Sequence, residues 1–397
     1  MTKELLNPLD YLGEQVAQWK DAGTYNRLRV LEGPCAAESQ FDGKNVINLA
    51  SNNYLGLTTH PKLIEAAIAA TRKYGAGSGA VRTISGTMDV HMRLEARIAK
   101  FKNVEACVVF QSGFTANAGT VSSILTPEDH IISDALNHAS IIDGCRLSRA
   151  KIHVFPHKDM VVAEQKLAAL EGVPGRKLLI TDGVFSMDGD IGPLPELVAL
   201  AERYNAIMMV DDAHSSGVLG RNGRGTVDHF GLHGRVHIQV GTLSKAIGVL
   251  GGYVCGSRDL IEYLYQRARP FLFSTSHPPA VAASCLAAFD LLEEEPERID
   301  RLWANTRYLK RGLVESGFDT GVSETPITPV IVGDTARAHQ FSAELFNEGV
   351  LAPGIGFPTV AKDKARVRTI VCATHTTEEL DRALDVFRKV GKRMEII

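Results

Sequence analysis

Between about residue 45 and residue 295, short apolar runs alternate with longer stretches whose apolar positions recur three and four apart, as strands and helices laid down in turn would read. The runs Ala106–Phe110, Ile131–Ser133, Ile152–Phe155, Leu178–Thr181, Ile207–Val210 and Ile238–Val240 predict strands. Most are apolar on both faces, which suits a mostly parallel sheet covered by helices on either side. Their carboxyl ends run into Gln-Ser-Gly, Asp-Ala-Leu-Asn-His, Asp-Gly-Val-Phe-Ser, Asp-Asp-Ala-His and Gly-Thr-Leu-Ser-Lys. Polar side chains therefore gather on one edge of the sheet, where open α/β sheets bind ligands.

After Pro278-Pro279 come two long helical patterns, one through Glu294 and one from Arg298 to Glu315, and then a mixed segment from Pro326 onward. Thr376 with Glu379 reads as a capping box, and Leu380, Leu384 and Phe387 follow it as an apolar stripe. The expected organisation is an N-terminal arm over 1–45, a large α/β domain over 46–295 and a small α+β domain over 296–397.

At 397 residues and 45% apolar content the chain can bury a large core plus a smaller one. The 43 Lys and Arg against 46 Asp and Glu leave a formal charge of -3, too little to attract nucleic acid or anionic lipid at long range. No apolar run approaches membrane-spanning length, and the first residues show no apolar leader, so a cytoplasmic protein is expected. The six cysteines form no C-x-x-C pair and lie mostly among apolar neighbours, so reduced, buried thiols are expected and a disulfide or zinc framework is not.

Asp211 and His214 follow one strand, and Lys245 follows the next, 34 residues beyond the Asp. One crossover fits that interval and would bring both to the same sheet edge. Pyridoxal phosphate (PLP) needs a lysine amine for its aldehyde and a carboxylate opposite its pyridine nitrogen, because the protonated ring draws electrons off the substrate carbon. A lone Lys or Asp at a strand end is usually a solvated group. Here the lysine is flanked by Thr242 and Ser244, whose hydroxyls suit a phosphate. A second phosphate cradle stands at Ser112-Gly113-Phe114-Thr115, where a strand opens into a helix. His138 lies at another strand end, where its ring can stack on a flat cofactor or help protonate a carbonyl. Ser186 follows a further strand, and Arg368 has the planar fork that matches a substrate carboxylate. His229, His233 and His237 have ligand-like spacing, but glycines interrupt the helix and no carboxylate completes a zinc set, so no metal is expected. No Walker or G-x-G-x-x-G sequence supports a nucleotide fold.

The stretches Ser51-Asn-Asn-Tyr-Leu-Gly56, Asn137-His-Ala-Ser-Ile-Ile-Asp-Gly144, Asp182-Gly-Val-Phe-Ser-Met-Asp-Gly189, Asp211-Asp-Ala-His214 and Gly241-Thr-Leu-Ser-Lys245 resemble the α-oxoamine synthases over essentially the whole chain. The resemblance implies the aspartate-aminotransferase-like architecture, PLP fold type I. It makes Lys245 the Schiff-base lysine, pairs Asp211 with the pyridine nitrogen, sets His214 at the ring oxygen and stacks His138 on the ring. It further implies backbone contacts to the cofactor from Gly113 and Phe114, side-chain contacts from Ser186 and Thr242, and a substrate side formed by Asn53, His138 and Arg368. The family is a homodimer with shared active sites, in which Ser274 and Thr275 would reach the neighbouring subunit's phosphate.

Within the family, Asn137–Gly144 and Arg269-Pro-Phe-Leu-Phe-Ser274 look like the glycine acetyltransferases, whereas Ser112-Gly-Phe-Thr-Ala-Asn117 and Ser274-Thr-Ser-His-Pro-Pro-Ala280 look more like the oxononanoate synthases. The expected reaction is condensation of glycine with acetyl-CoA to 2-amino-3-oxobutyrate, a reversible step of threonine breakdown. The alternative is L-alanine with pimeloyl-CoA giving 8-amino-7-oxononanoate, in biotin synthesis, or an enzyme that does both. A PLP aminotransferase would use the same Lys and Asp and is the more remote reading. A PLP-binding regulatory protein would need an appended module, and no segment is left over for one.

Overall fold

The computed structural model describes residues 7–397. In chain order the strands are β1 (Glu38–Phe41), β2 (Lys44–Asn48), β3 (Ala106–Phe110), β4 (His130–Asp134), β5 (Lys151–Phe155), β6 (Lys177–Asp182), β7 (Ile207–Asp211), β8 (Ile238–Thr242), β9 (Gly252–Gly256), β10 (Ile327–Gly333), β11 (Val350–Leu351), β12 (Gly354–Ile355) and β13 (Ala365–Ile370).

The central sheet has seven strands in the order β3-β9-β8-β7-β6-β4-β5. β4 through β8 pair in parallel, and β9 runs antiparallel to both β8 and β3. This is the mostly parallel α/β sheet that the apolar runs predicted and the PLP fold type I that the resemblance implied, and all six predicted strands are present, five of them longer by a residue or more. β9 is the addition. Its sequence, Gly252-Tyr-Val-Cys-Gly256, is short and bounded by glycine, which weakens any strand signal. The glycine at its start is dictated by packing: a Cβ on Gly252 would lie 2.3 Å from the Ser112 carbonyl oxygen. The turn that opens the helix Gly113–Ile124 can approach the sheet only because nothing projects there.

β4 and β6 through β9 are buried along almost their whole length. One core cluster joins Val109 and Tyr253 of the sheet to Phe289 of the helix Pro279–Glu294, Leu309 of the helix Glu297–Glu315, and Phe341 and Phe387 farther along the chain. The last segment forms an antiparallel sheet in the order β10-β13-β12, covered by the helices Thr335–Asn347 and Thr377–Arg393. The second of these starts where the capping box placed it. The Glu379 amide donates to Thr376 Oγ1 at 3.2 Å, the Thr376 amide donates to Glu379 Oε2 at 2.7 Å, and Leu380, Leu384 and Phe387 are buried. β1 and β2 form a hairpin, and β2 also pairs with β11. All six cysteines are free, and all but Cys35 are buried. Among the described residues no helix is long and apolar enough to cross a membrane, and no cluster of three or more potential metal ligands occurs.

Candidate active site

Asp211 is the last residue of β7, and β7 lies parallel to β8 with Asp211 opposite Val240. Lys245, three residues past the end of β8, therefore emerges at the same edge. The Asp211 carboxylate is 4% exposed and fixed from two sides: Asn117 Nδ2 donates to Oδ2 at 2.6 Å and the Ala213 amide donates to Oδ1 at 2.9 Å. Asn117 is itself oriented by Ser140, whose hydroxyl accepts a second hydrogen bond from Nδ2 at 2.9 Å. Behind this pair, Asp212 is fully buried against Lys102, with Nζ 2.7 Å from Oδ2. Lys102 also donates to the Arg224 carbonyl at 2.6 Å, so the chain turns from Asp211 toward His214 on a neutralised ion pair.

Burial pushes the Lys245 ammonium down from its usual value to about 8, against the pull of Asp211 and Asp182. About one amine in ten is then neutral at pH 7, a useful fraction for a nucleophile or a base. Burial, with Lys245 and Arg368 nearby, likewise holds His214 well below the usual imidazole range. Its Nδ1 lies 2.7 Å from the hydroxyl of fully buried Tyr54. With that phenol donating, the ring proton sits on Nε2, aimed away from Tyr54 and free to meet an oxygen.

His138 caps the helix Ala139–Ser148. Its amide donates to Asp182 Oδ2 at 2.7 Å, and its Nδ1 is 2.7 Å from Ser140 Oγ. The ring is exposed on its outer side and uncharged near neutrality because burial of the rest disfavours the imidazolium. Asp182 ends β6 directly opposite Asp211. Burial and the neighbouring Asp211 push its carboxyl well above the usual range, as two adjacent buried carboxyls should.

The phosphate end is built on backbone. Ser112 caps the helix Gly113–Ile124 by accepting from the Thr115 amide at 3.1 Å, and the Gly113 and Phe114 amides, the next in line, have no intrahelical acceptor. Gly113 packs on Thr242 so closely that a Cβ would touch the Thr242 side chain at 3.4 Å. Thr242 donates to the Gly251 carbonyl at 2.9 Å and stands 2.8 Å from Ser244 Oγ. Two free amides at a helix start, facing two hydroxyls, suit a dianion.

Arg368, on β13, reaches across to donate from Nη1 to the Ser186 carbonyl at 3.0 Å. Its Nε is buried with no partner among the described residues, as is Asn117 Oδ1. An unpaired buried guanidinium nitrogen beside Lys245 and His214 is what a site for an organic carboxylate should hold in reserve. The residues present thus fit PLP: an amine, a carboxylate opposite, a donor imidazole, a ring to stack and an anion cradle.

Three further expected residues are held by partners of their own within the chain. Asn53 spends its Nδ2 on the Thr58 hydroxyl at 2.7 Å and the Cys35 carbonyl at 3.2 Å, which places it in the turn beneath the site. Thr275 is exposed and half of a bridge with Val81, its carbonyl accepting from Gln111 Nε2 at 2.8 Å, and Ser274 is half-buried beside it. Asn117, Tyr54 and Asp182 were not singled out by sequence, although each lies inside a quoted motif. Only the fold shows that Asn117, 94 positions from Asp211, touches it.

The family model for aminotransferase class I and II matches residues 44–387. An 8-amino-7-oxononanoate synthase of Symbiobacterium thermophilum is 62% identical over 98% of this chain and 99% of its own length. The 8-amino-7-oxononanoate synthase 1 of Bacillus subtilis is 56% identical over the full length of both. Among solved structures, a serine palmitoyltransferase from S. paucimobilis with a bound PLP–myriocin aldimine is 33% identical, covers 100% of both chains and superposes with a TM-score of 0.93. These relatives overturn the expectation of a glycine acetyltransferase, and of threonine breakdown with it. The motifs that suggested it make structure common to either reaction: Asn137 ties β4 to β6 through Ser133 and Ile180, and Phe271 is core, so neither reports on the acyl chain. With a family match over residues 44–387, relatives of this identity and side chains that suit PLP, the chain belongs to the class I and II aminotransferase family and, within it, to the PLP-dependent α-oxoamine synthases.

Proposed function

We propose that the chain joins L-alanine to pimeloyl-CoA, releasing CoA and carbon dioxide, to give 8-amino-7-oxononanoate in the cytoplasm. The observation that carries this reading is the end-to-end likeness, at 62% and 56% identity, to proteins of that activity. When bound, PLP supplies an electron sink that stabilises negative charge on the amino acid's α-carbon.

The chain's own residues supply the rest. Lys245 would hold the cofactor through its aldehyde, and its amine, uncharged in part at neutral pH, takes a proton from the amino acid's α-carbon and later returns one. Asp211, fixed by Asn117 and the Ala213 amide, would pair with the protonated ring nitrogen of the cofactor. Arg368 holds the alanine carboxylate with the edge it does not spend on Ser186. His138, whose ring is exposed on its outer side, would stack on the cofactor ring and meet the charge developing on a thioester carbonyl. Gly113, Phe114 and Thr242 would hold the phosphate, and Ser186 and His214 would contact the cofactor ring.

Two copies share each site in this proposal, with Ser274 and Thr275 reaching the partner's phosphate. Several exposed apolar side chains lie beside site residues in sequence, namely Phe114 (45%), Leu136 (51%), Leu250 (48%) and Phe273 (69%), as a covered face requires.

The test crosses L-alanine, glycine and L-serine with pimeloyl-, acetyl-, succinyl- and palmitoyl-CoA and follows CoA release. Alanine with pimeloyl-CoA should give the highest kcat/KM. A higher value for any other pair, or amino transfer to a keto acid without CoA release, overturns the proposal.

A further inference from the structure

We propose that His157 is a positioning residue: its ring, clamped between Asp134 and Asp190, ties the turn that presents His138 to the turn that presents Ser186 and so sets both against the cofactor. The three strands β4, β5 and β6 end side by side, and His157 follows β5, the edge strand. Its Nδ1 is 3.0 Å from Asp134 Oδ1, and its Nε2 is 3.0 Å from Asp190 Oδ2. A neutral imidazole has one N–H, so it can donate to only one of two carboxylates. Two carboxylate partners, one on each nitrogen, fit the doubly protonated cation.

Each carboxylate is itself part of a turn that bears a site residue. Asp134, whose side chain is 1% exposed, accepts the amides of Leu136 at 2.8 Å and Lys158 at 2.9 Å. It therefore shapes the turn that ends at His138. Asp190, whose side chain is 2% exposed, closes the segment holding Ser186. The Phe185 amide donates to the Asp190 carbonyl at 3.0 Å and the Gly189 amide to the Phe185 carbonyl at 2.8 Å. Arg368 hangs on the same turn through the Ser186 carbonyl. The Phe185 ring meets His157 edge-on at 4.4 Å. His138, Ser186 and Arg368 are thus referred to one cation that touches none of them.

The charged groups facing the clamp are Asp134 from β4, Asp190 from the turn after β6, Lys158 beside His157, with Nζ 3.1 Å from Asp190 Oδ2, and Glu324 3.8 Å from Lys158. Loss of the His157 proton leaves two buried carboxylates with Lys158 as the one nearby cation among the described residues, an arrangement that opens rather than persists. Burial disfavours the imidazolium, but the hydrogen bonds to Asp134 and Asp190 outweigh it and raise His157 to about 9. The folded value lies above the unfolded one, so the clamp contributes fully below about pH 6.5 and is lost as pH rises through 9.

The inference rests on the cofactor site but not on which amino acid or thioester reacts, and its test needs neither. Hydrogen exchange of the holoenzyme, corrected for intrinsic rates, is followed from pH 7 to pH 10 in peptides covering 134–142 and 184–191. Cofactor affinity is titrated by absorbance alongside. In the wild type both peptides should lose protection together, by about tenfold, as pH passes 9. In His157→Asn the protection should be low already at pH 7 and lack that step, cofactor should bind about tenfold more weakly, and adding Asp190→Asn should change little further. The idea is overturned if wild-type protection holds to pH 10, if the step survives in His157→Asn, or if that variant binds cofactor as tightly as wild type. Should His157→Asn fail to fold, the wild-type pH series decides alone. A wrong cofactor site would show instead as a wild-type protein that never takes up PLP.

Discussion

Asp182 and Asp211 stand opposite one another across β6 and β7, yet they have different partners, the His138 amide for one and Asn117 for the other. Asp182 accepts the His138 amide, a task an amide oxygen also performs. Asp182→Asn should keep kcat/KM within about threefold of wild type. Asp211→Asn removes the charge the ring nitrogen needs and should lower kcat by roughly 10²–10³-fold. Lys245→Ala should abolish the visible cofactor band and cost at least about 10³-fold in rate. The depressed Lys245 value gives a further check in cofactor-free protein. Its amine should react with an acylating reagent with a midpoint near pH 8, read by peptide mass spectrometry, while ordinary lysines follow near 10.4. Lys245, Asp211 and His214 were legible in the sequence because strand ends declare themselves, and a parallel sheet carries every strand end to one edge. Asn117 and His157 were not, because their partners are supplied by elements far away in sequence, and no local spacing records that.

At the scale of elements, β8 and β9 depend on one absent side chain. Gly241 faces Tyr253 across the antiparallel pair, and a Cβ there would fall 2.3 Å from the tyrosine ring. Tyr253 is fully buried, its hydroxyl 2.7 Å from Ser216 Oγ, so it has no free direction to move. Gly241→Ala should destabilise the protein by about 1–3 kcal/mol, measured by denaturant unfolding, and should displace Thr242 from the phosphate. The parallel strands were readable as continuous apolar runs, and the last helix as a capping box with a stripe. β9 was not, because its glycines answer to the Ser112 turn and the register of its neighbours rather than to strand propensity.

For the whole molecule, the proposed dimer places Phe273, 69% exposed in one chain, under a second copy. Phe273→Asp should shift the sedimentation coefficient from dimer to monomer and weaken PLP retention in the same titration. Wild-type sedimentation as a monomer would remove the shared-site reading while leaving the pocket within one chain intact. A different long-range dependence is already visible in the chain's own pairing. β2 hydrogen-bonds to β11, about three hundred residues later, and the Leu49 carbonyl accepts from Ile370. As the polypeptide leaves the ribosome, this early hairpin waits with a bare rim while nearly everything else is being made. Those few unsatisfied amides are where a nascent copy is most open to capture by the wrong strand, and where a chaperone's shelter would matter most.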